Sequence, residues 1–266
     1  MTGASRGVGR QVALHLAQRG AAVAAVARAS AELSGLPEAA ARVGGRLWAF
    51  AADVTVAAEV ENAFAAVDAD LGAVTLAVAC AGTGGPLGPL HLAEPEAWWR
   101  AVEVDLRGSM LTARAAVGRM VGSRSGRFVM VYGNLGDRLG AHVSAFAAAK
   151  AGVARLTEVL AGEVADSGVR VFGIHPGLVR THLTERLAWG AEGQAWLPRF
   201  GAGVEDRWGD GRPAAELVEA IALGRVDALS GRMLHVGDNL SELTEACRVD
   251  QDLRRLRLRW DPPTSG

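Results

Sequence analysis

The sequence predicts a doubly wound α/β fold: a parallel sheet between two layers of helices, formed as one domain by residues 1–266. Three observations predict it. Short apolar runs of β character alternate with longer helical patterns, the signature of repeated βαβ units. A glycine-rich turn at the start of the chain opens directly into the first helical pattern. No internal repeat, low-complexity tract or linker interrupts the alternation.

Taken in order, the turn 2–9 leads into a helix over 9–18 and a strand over 21–27, whose unbroken apolar run suits a strand covered on both faces. A helix over 31–43, a strand over 45–51, a helix over 56–69 and a strand over 74–79 follow. The second half repeats the scheme with helices over 94–121, 145–166, 180–187 and 214–223, and strands over 127–132, 169–175 and 233–236. The least regular stretch, 189–212, is rich in glycine and holds Trp189, Trp196 and Trp208. A loop of that length in a compact domain reads as a substrate lid.

Charge and cysteine content narrow the function classes. Against 29 Asp+Glu stand 28 Lys+Arg, with the signs interspersed, so neither nucleic acid nor an anionic membrane is an expected partner. No run of 18 apolar residues and no secretory leader appears, and a cytoplasmic protein is expected. Cys80 and Cys247 have neither zinc-ligand nor CxxC spacing, so no metal site is expected, and both read as buried thiols. Arginine fills every basic position except one, which marks Lys150 as a place that wants an ammonium.

The turn Thr2-Gly3-Ala4-Ser5-Arg6-Gly7-Val8-Gly9 precedes a helix, where glycines let backbone amides approach a pyrophosphate and the helix N-terminus adds partial positive charge. The following strand ends at Arg28 rather than at a carboxylate. With Arg6 in the loop, this favours the 2′-phosphate of NADP(H) over the bare ribose of NAD.

Together with Asp53-Val54, Cys80-Ala81-Gly82, Lys150, Pro176-Gly177 and Thr181, this loop resembles the short-chain dehydrogenase/reductase family over essentially the whole chain. The resemblance implies a Rossmann-like fold. It also implies a cofactor held by Gly3, Ser5, Arg6, Gly7, Val8, Arg28, Asp53, Val54, Ala81, Gly82, Lys150, Pro176, Gly177 and Thr181. In that family Asp53 and Val54 would hold the adenine, Ala81 and Gly82 would border the ribose, and Pro176, Gly177 and Thr181 would face the nicotinamide. The family's long central helices pair across subunits, which implies a homodimer or homotetramer joined through the alanine-rich faces at Ala113, Ala115, Ala116, Ala147, Ala148 and Ala151.

Two departures from the family pattern bear on function. Only Met1 precedes Thr2, where the family has a central strand; the expected explanation is a natural start upstream, the alternative a truncated fold with a distorted cofactor site. Where the family places a proton-transferring tyrosine, one helical turn before the lysine, stands Phe146. The carbonyl-polarising serine corresponds to Gly133 and the relay asparagine to Asp105, so only Lys150 matches. Loss of one general acid costs a factor of about 10² to 10⁴.

Four side chains come into question as substitutes. Tyr132 should point away from the site by strand alternation. His142 lies one turn ahead of Phe146, His175 is expected to make a structural hydrogen bond, and Asp105 is expected to pair with Lys150. The candidate catalytic set is therefore Lys150, Asp105, Phe146 and His142. The expected function is an NADP(H)-dependent oxidoreductase with an altered proton path, acting on a small to mid-sized apolar or electrophilic molecule. Two alternatives remain open: a non-redox enzyme of the same fold (cyclisation, dehydration or isomerisation) with NADP(H) bound as scaffold or absent, or an inactive partner subunit.

Overall fold

A computed structural model describes residues 1–133, 140–202 and 204–256. Six parallel strands form, each where an apolar run lies. They are β1 (Ala22–Ala27), β2 (Arg46–Ala51), β3 (Leu76–Ala79), β4 (Gly126–Val131), β5 (Val169–His175) and β6 (Met233–His235). β1 pairs with β2, and β3, β4, β5 and β6 pair in that order. Met1 and Thr2 stitch the two groups together: Val26 N–H donates to the Met1 carbonyl at 2.8 Å and Thr2 N–H to the Val78 carbonyl at 2.9 Å.

Helices cover both faces. Against one lie α1 (Gly7–Gln18), α2 (Ala31–Ser34), α3 (Leu36–Arg42), α11 (Arg212–Ala222) and α12 (Leu240–Val249), around a core including Val12, Leu16, Val129, Phe172, Ile221 and Leu234. Against the other lie α4 (Ala57–Leu71), α6 (Gly108–Ser123) and α7 (Ser144–Glu163), around Phe64, Val117, Met120, Phe128, Met130 and Val171. Neighbours Phe128 and Val129 thus fill opposite cores, the period-two alternation of a strand covered on both sides. The architecture is the three-layer, doubly wound fold that the sequence predicts.

Several local expectations are corrected. The helix over 31–43 is two helices, because Pro37 is tolerated only in a first turn and the chain restarts at Gly35. The helix over 94–121 is α5 (Pro95–Val102) joined to α6 through a π turn, Glu103–Arg107. The stretch 189–212 is no open loop: after α8 (His182–Trp189), α9 (Ala191–Trp196) and α10 (Pro198–Gly201) run through its first half, although position 203 lies outside the described residues. α12 was not expected. Its N-terminus is capped by Asn239 Oδ1, which accepts from the Ser241 and Glu242 amides, and it buries Leu243 and Cys247.

Ala113, Ala115 and Ala116 face the protomer's own core, so they are not available as an intersubunit face. Met110 and Val121 are the large exposed apolar residues of α6, and Val159 that of α7, where Ala148 is exposed as well. Cys247 is buried as expected, whereas Cys80 is only half-buried.

Candidate active site

The turn before α1 is held by contacts that only glycine permits. Gly3 has a φ of +65°, and a Cβ there would lie 2.6 Å from the Ala81 nitrogen, so the turn sits flush against the end of β3. Thr2 Oγ1 accepts from the Cys80 amide at 3.2 Å and so fixes the same junction. On the far side Gly7 faces the Thr181 methyl group, where a Cβ would come within 3.1 Å. Thr181 in turn caps α8 by accepting from the Thr184 amide. The phosphate loop, the segment 177–181 and the turn 81–83 therefore converge at the carboxyl ends of the strands.

No side chain caps α1, whose first amides consequently face outward with the helix's partial positive charge. A cleft of about 680 Å³ opens there, lined among others by Ser5, Arg6, Gly7, Arg10, Arg42 and Arg180. Arg42 is paired with Glu38 and Arg180 with Glu185. Among the described residues, the side chains of Arg6, Arg10 and Arg28 make no hydrogen bond or ion pair. An uncapped helix start, a cradle that a Cβ would fill and the guanidiniums of Arg6 and Arg10, with the Glu32 carboxylate also in the lining, fit a dinucleotide carrying several phosphates.

Asp53 is committed to its own turn. Its Oδ1 accepts from the Thr55 amide at 2.9 Å and hydroxyl at 2.7 Å, and its Oδ2 accepts from Arg100 at 3.3 Å. Burial opposes ionisation, but those bonds with the Arg100 and Arg28 charges hold the carboxyl below its ordinary value. Val54 packs beneath Gly108, and this contact leaves no room for a larger residue at 108.

The second part of the site surrounds Lys150. Its ammonium donates to the Val131 carbonyl at 3.0 Å and stands 5.5 Å from the centroid of the Phe146 ring, one helical turn away on α7. The Phe146 ring also lies over Gly133: a Cβ at 133 would meet its edge at 3.7 Å, an ordinary contact, but the Gly133 φ of +76° strains any other residue.

Asp105 enters from the π turn and is fully buried. Its Oδ1 accepts from the Thr83 amide at 2.7 Å, and its Oδ2 has no partner among the described residues. The expected Asp105–Lys150 ion pair is not formed, although both groups border the Cα of Gly82: a Cβ there would lie 2.8 Å from Asp105 Oδ1 and 3.6 Å from Lys150 Nζ. The committed anchors, Thr83 for Asp105 and the Val131 carbonyl for Lys150, keep the pair apart.

The remaining candidates have other duties. The Tyr132 hydroxyl pairs with His235 Nε2 at 2.7 Å, at the edge strand β6. His175 Nδ1 accepts from the Gly177 amide at 3.1 Å, the structural hydrogen bond expected of it, and thereby shapes the turn after Pro176. His142 adopts a φ of +67° and stacks on Trp196 at 5.2 Å, while its carbonyl accepts from Gly88. Leu87, Val143 and Leu187 form a small apolar cluster beside it, and Arg186 of α8 donates to the Gly85 carbonyl. The rim at 84–88 is thus stitched to α8 and α9. Sequence reasoning did not single out Thr83 or Arg186. Thr83 acts through its backbone and leaves no residue-type signal, and Arg186 is one arginine among many.

Among the described residues no group of three His, Cys, Asp or Glu side chains is arranged to hold a metal, and no helix is long and apolar enough to cross a membrane. Comparison with known proteins gives concordant results. The family model for short chain dehydrogenases matches residues 1–190. A cis-4-hydroxycyclohexanecarboxylate dehydrogenase from Sinomonas cyclohexanicum is 36% identical over 187 residues, 70% of this chain and 75% of that protein. A 3-oxoacyl-[acyl-carrier-protein] reductase from Vibrio cholerae is 32% identical over 240 residues, 90% of this chain and 95% of that protein. The crystal structure of the F189W form of actinorhodin polyketide ketoreductase with NADPH superposes with a TM-score of 0.80 at 27% identity, covering 90% of this chain and 95% of that one.

Proposed function

This chain belongs to the short-chain dehydrogenase/reductase family of nicotinamide-dependent oxidoreductases, and from that premise we propose that it binds NADP(H) and reduces or oxidises a small to mid-sized apolar, electrophilic molecule. The carrying observation is the pair of guanidiniums without a hydrogen bond or ion pair among the described residues, Arg6 and Arg10, beside a glycine cradle at an uncapped helix start, with Arg28 at the end of the following strand. In this reading Gly3, Ser5, Gly7 and Val8 hold the pyrophosphate, Asp53 and Val54 border the adenine, and Ala81, Gly82 and Lys150 border the ribose. Pro176, Gly177 and Thr181 face the nicotinamide. The bound cofactor supplies the hydride chemistry, and the protein supplies position and electrostatics.

Phe146 fills the place of a proton donor with an apolar ring, so the site favours substrates whose carbon accepts hydride readily, such as a dicarbonyl, a quinone or an activated enone. The segment 189–212 closes over them as a lid. Trp196 meets His142 at one edge of that lid, and Trp189 packs edge-on against Trp208 at another, 5.8 Å between centroids. The protein is proposed to work in the cytoplasm as a homodimer or homotetramer joined through α6 and α7, where Met110, Val121 and Val159 are exposed. Light scattering that gives a monomer at micromolar concentration would refute the assembly.

A second reading, an inactive partner subunit or a non-redox enzyme, is favoured by one observation: Phe146 and Gly133 leave no hydroxyl at the two positions where the family's mechanism requires one. Calorimetric titration separates the two. NADPH binding that weakens on Arg6→Ala supports the oxidoreductase, and absence of binding by either nicotinamide cofactor supports the second reading.

A further inference from the structure

Among the described residues, Asp105 carries the one buried polar atom of the Lys150 centre that has no partner. A desolvated carboxylate oxygen without a donor is costly, whereas a protonated carboxyl is not, and native proteins reserve such atoms for functional positions. Among the described residues the groups facing it are few: the Lys150 ammonium from α7 and the Thr83 amide from the turn after β3, with the Cys80 thiol beside Lys150. Burial pushes the Asp105 carboxyl up to about 6 against the pull of Lys150 and the Thr83 bond, and it pushes Cys80 up to about 11, so Cys80 stays a neutral thiol.

We propose that Asp105 is the proton store of this site, a positioning residue that acts through Lys150 in place of a phenol at position 146. The inference rests on the oxidoreductase reading and deepens it. Reduction of a carbonyl adds hydride to carbon and moves the C=O π pair onto oxygen, which then takes one proton. A Lys150 N–H bond breaks to form that O–H bond; the side chain, no longer charged, leaves the Val131 carbonyl and turns to Asp105, whose O–H bond breaks to restore the ammonium. The carboxylate and ammonium so produced form the ion pair that the resting site lacks. Water returns one proton to Asp105, and each cycle consumes one hydride from a dihydronicotinamide and one proton from solvent. The π turn Glu103–Arg107 gives the store its place by setting Asp105 inside an otherwise regular helix.

The test has two arms. Carboxyl resonances of the full-length protein carrying isotopically labelled aspartate are followed from about pH 5 to about pH 8, with Asp105→Asn assigning the signal. In parallel, NADPH-dependent reduction of diacetyl is measured for both proteins over the same range. The expected result is an Asp105 carboxyl protonated at the acid end and ionised at the basic end. Wild-type kcat should fall across that titration. Asp105→Asn should give a flat profile, with kcat lowered about 10²-fold at the acid end and KM unchanged. An Asp105 carboxyl ionised throughout, or an Asp105→Asn protein with wild-type kcat and pH profile, overturns the proton store while leaving the oxidoreductase reading in place. Absence of diacetyl reduction by both proteins counts instead against that reading, and the proposed role of Asp105 falls with it.

Discussion

The phosphate cradle and the Lys150 centre meet at the same turn, 81–83, but the chain builds them from different materials. The cradle is backbone. Gly3 lies flush on Ala81, Gly7 against Thr181, and the amides of α1 point outward, so its shape survives wherever glycine keeps its place. The centre is side chains, and there Phe146, Gly133 and Asp105 supply an apolar ring, a bare backbone and a buried carboxyl. The difference teaches that cofactor binding and proton delivery are separable in this fold. One depends on the course of the chain and the other on a few terminal atoms.

The largest effect should come from breaking the cradle. Gly3→Val places a Cβ 2.6 Å from the Ala81 nitrogen at a φ of +65°, and we expect complete loss of NADPH binding with a stability loss of about 3 kcal/mol or more, read by calorimetry and chemical denaturation. Changing the centre should do the opposite. Phe146→Tyr supplies a phenol one turn from Lys150 and should raise ketone reduction about 10²-fold while leaving NADPH affinity within a factor of about two. Adding Gly133→Ser should then help less than its chemistry suggests. The added Cβ has room, but the φ of +76° costs about 1–3 kcal/mol, which a lower melting temperature of the double variant would register.

A smaller effect sharpens the cradle's selectivity. Arg6→Ala removes one charge-assisted contact and should weaken NADPH about tenfold with NADH unchanged, measured by titration of each cofactor. The pH dependence of stability should be the most modest in its consequences. The folded-state value of Asp105 is raised to about 6, so its contribution to stability is complete below the unfolded value and is lost as pH rises from about 4 through about 6. Asp105→Asn should lack that decline, and its melting temperature should gain on the wild type between those limits and stay ahead above them.

The strands were legible because each is an apolar run bounded by turns, and the residues of the phosphate loop lie in one contiguous stretch. Side chains that meet only through the fold were harder to read. The expected Asp105–Lys150 ion pair fails because Thr83 and Val131 hold the partners apart, and both do so through backbone atoms that no sequence pattern reports. The alanines of α6 looked like an intersubunit face, yet helix rotation turns Ala113 and Ala116 into the core and leaves Met110 outside. The lid residues read as a loop because glycines at 190, 193 and 201 hide two short helices, α9 and α10, packed on α8.

The central claim, that the cradle binds cofactor although the centre has lost the usual proton donor, is tested most directly by calorimetric titration of the wild-type protein with NADPH and NADH. The account predicts micromolar binding of NADPH and weaker binding of NADH. No heat from either cofactor would contradict it and leave the phosphate loop as architecture alone.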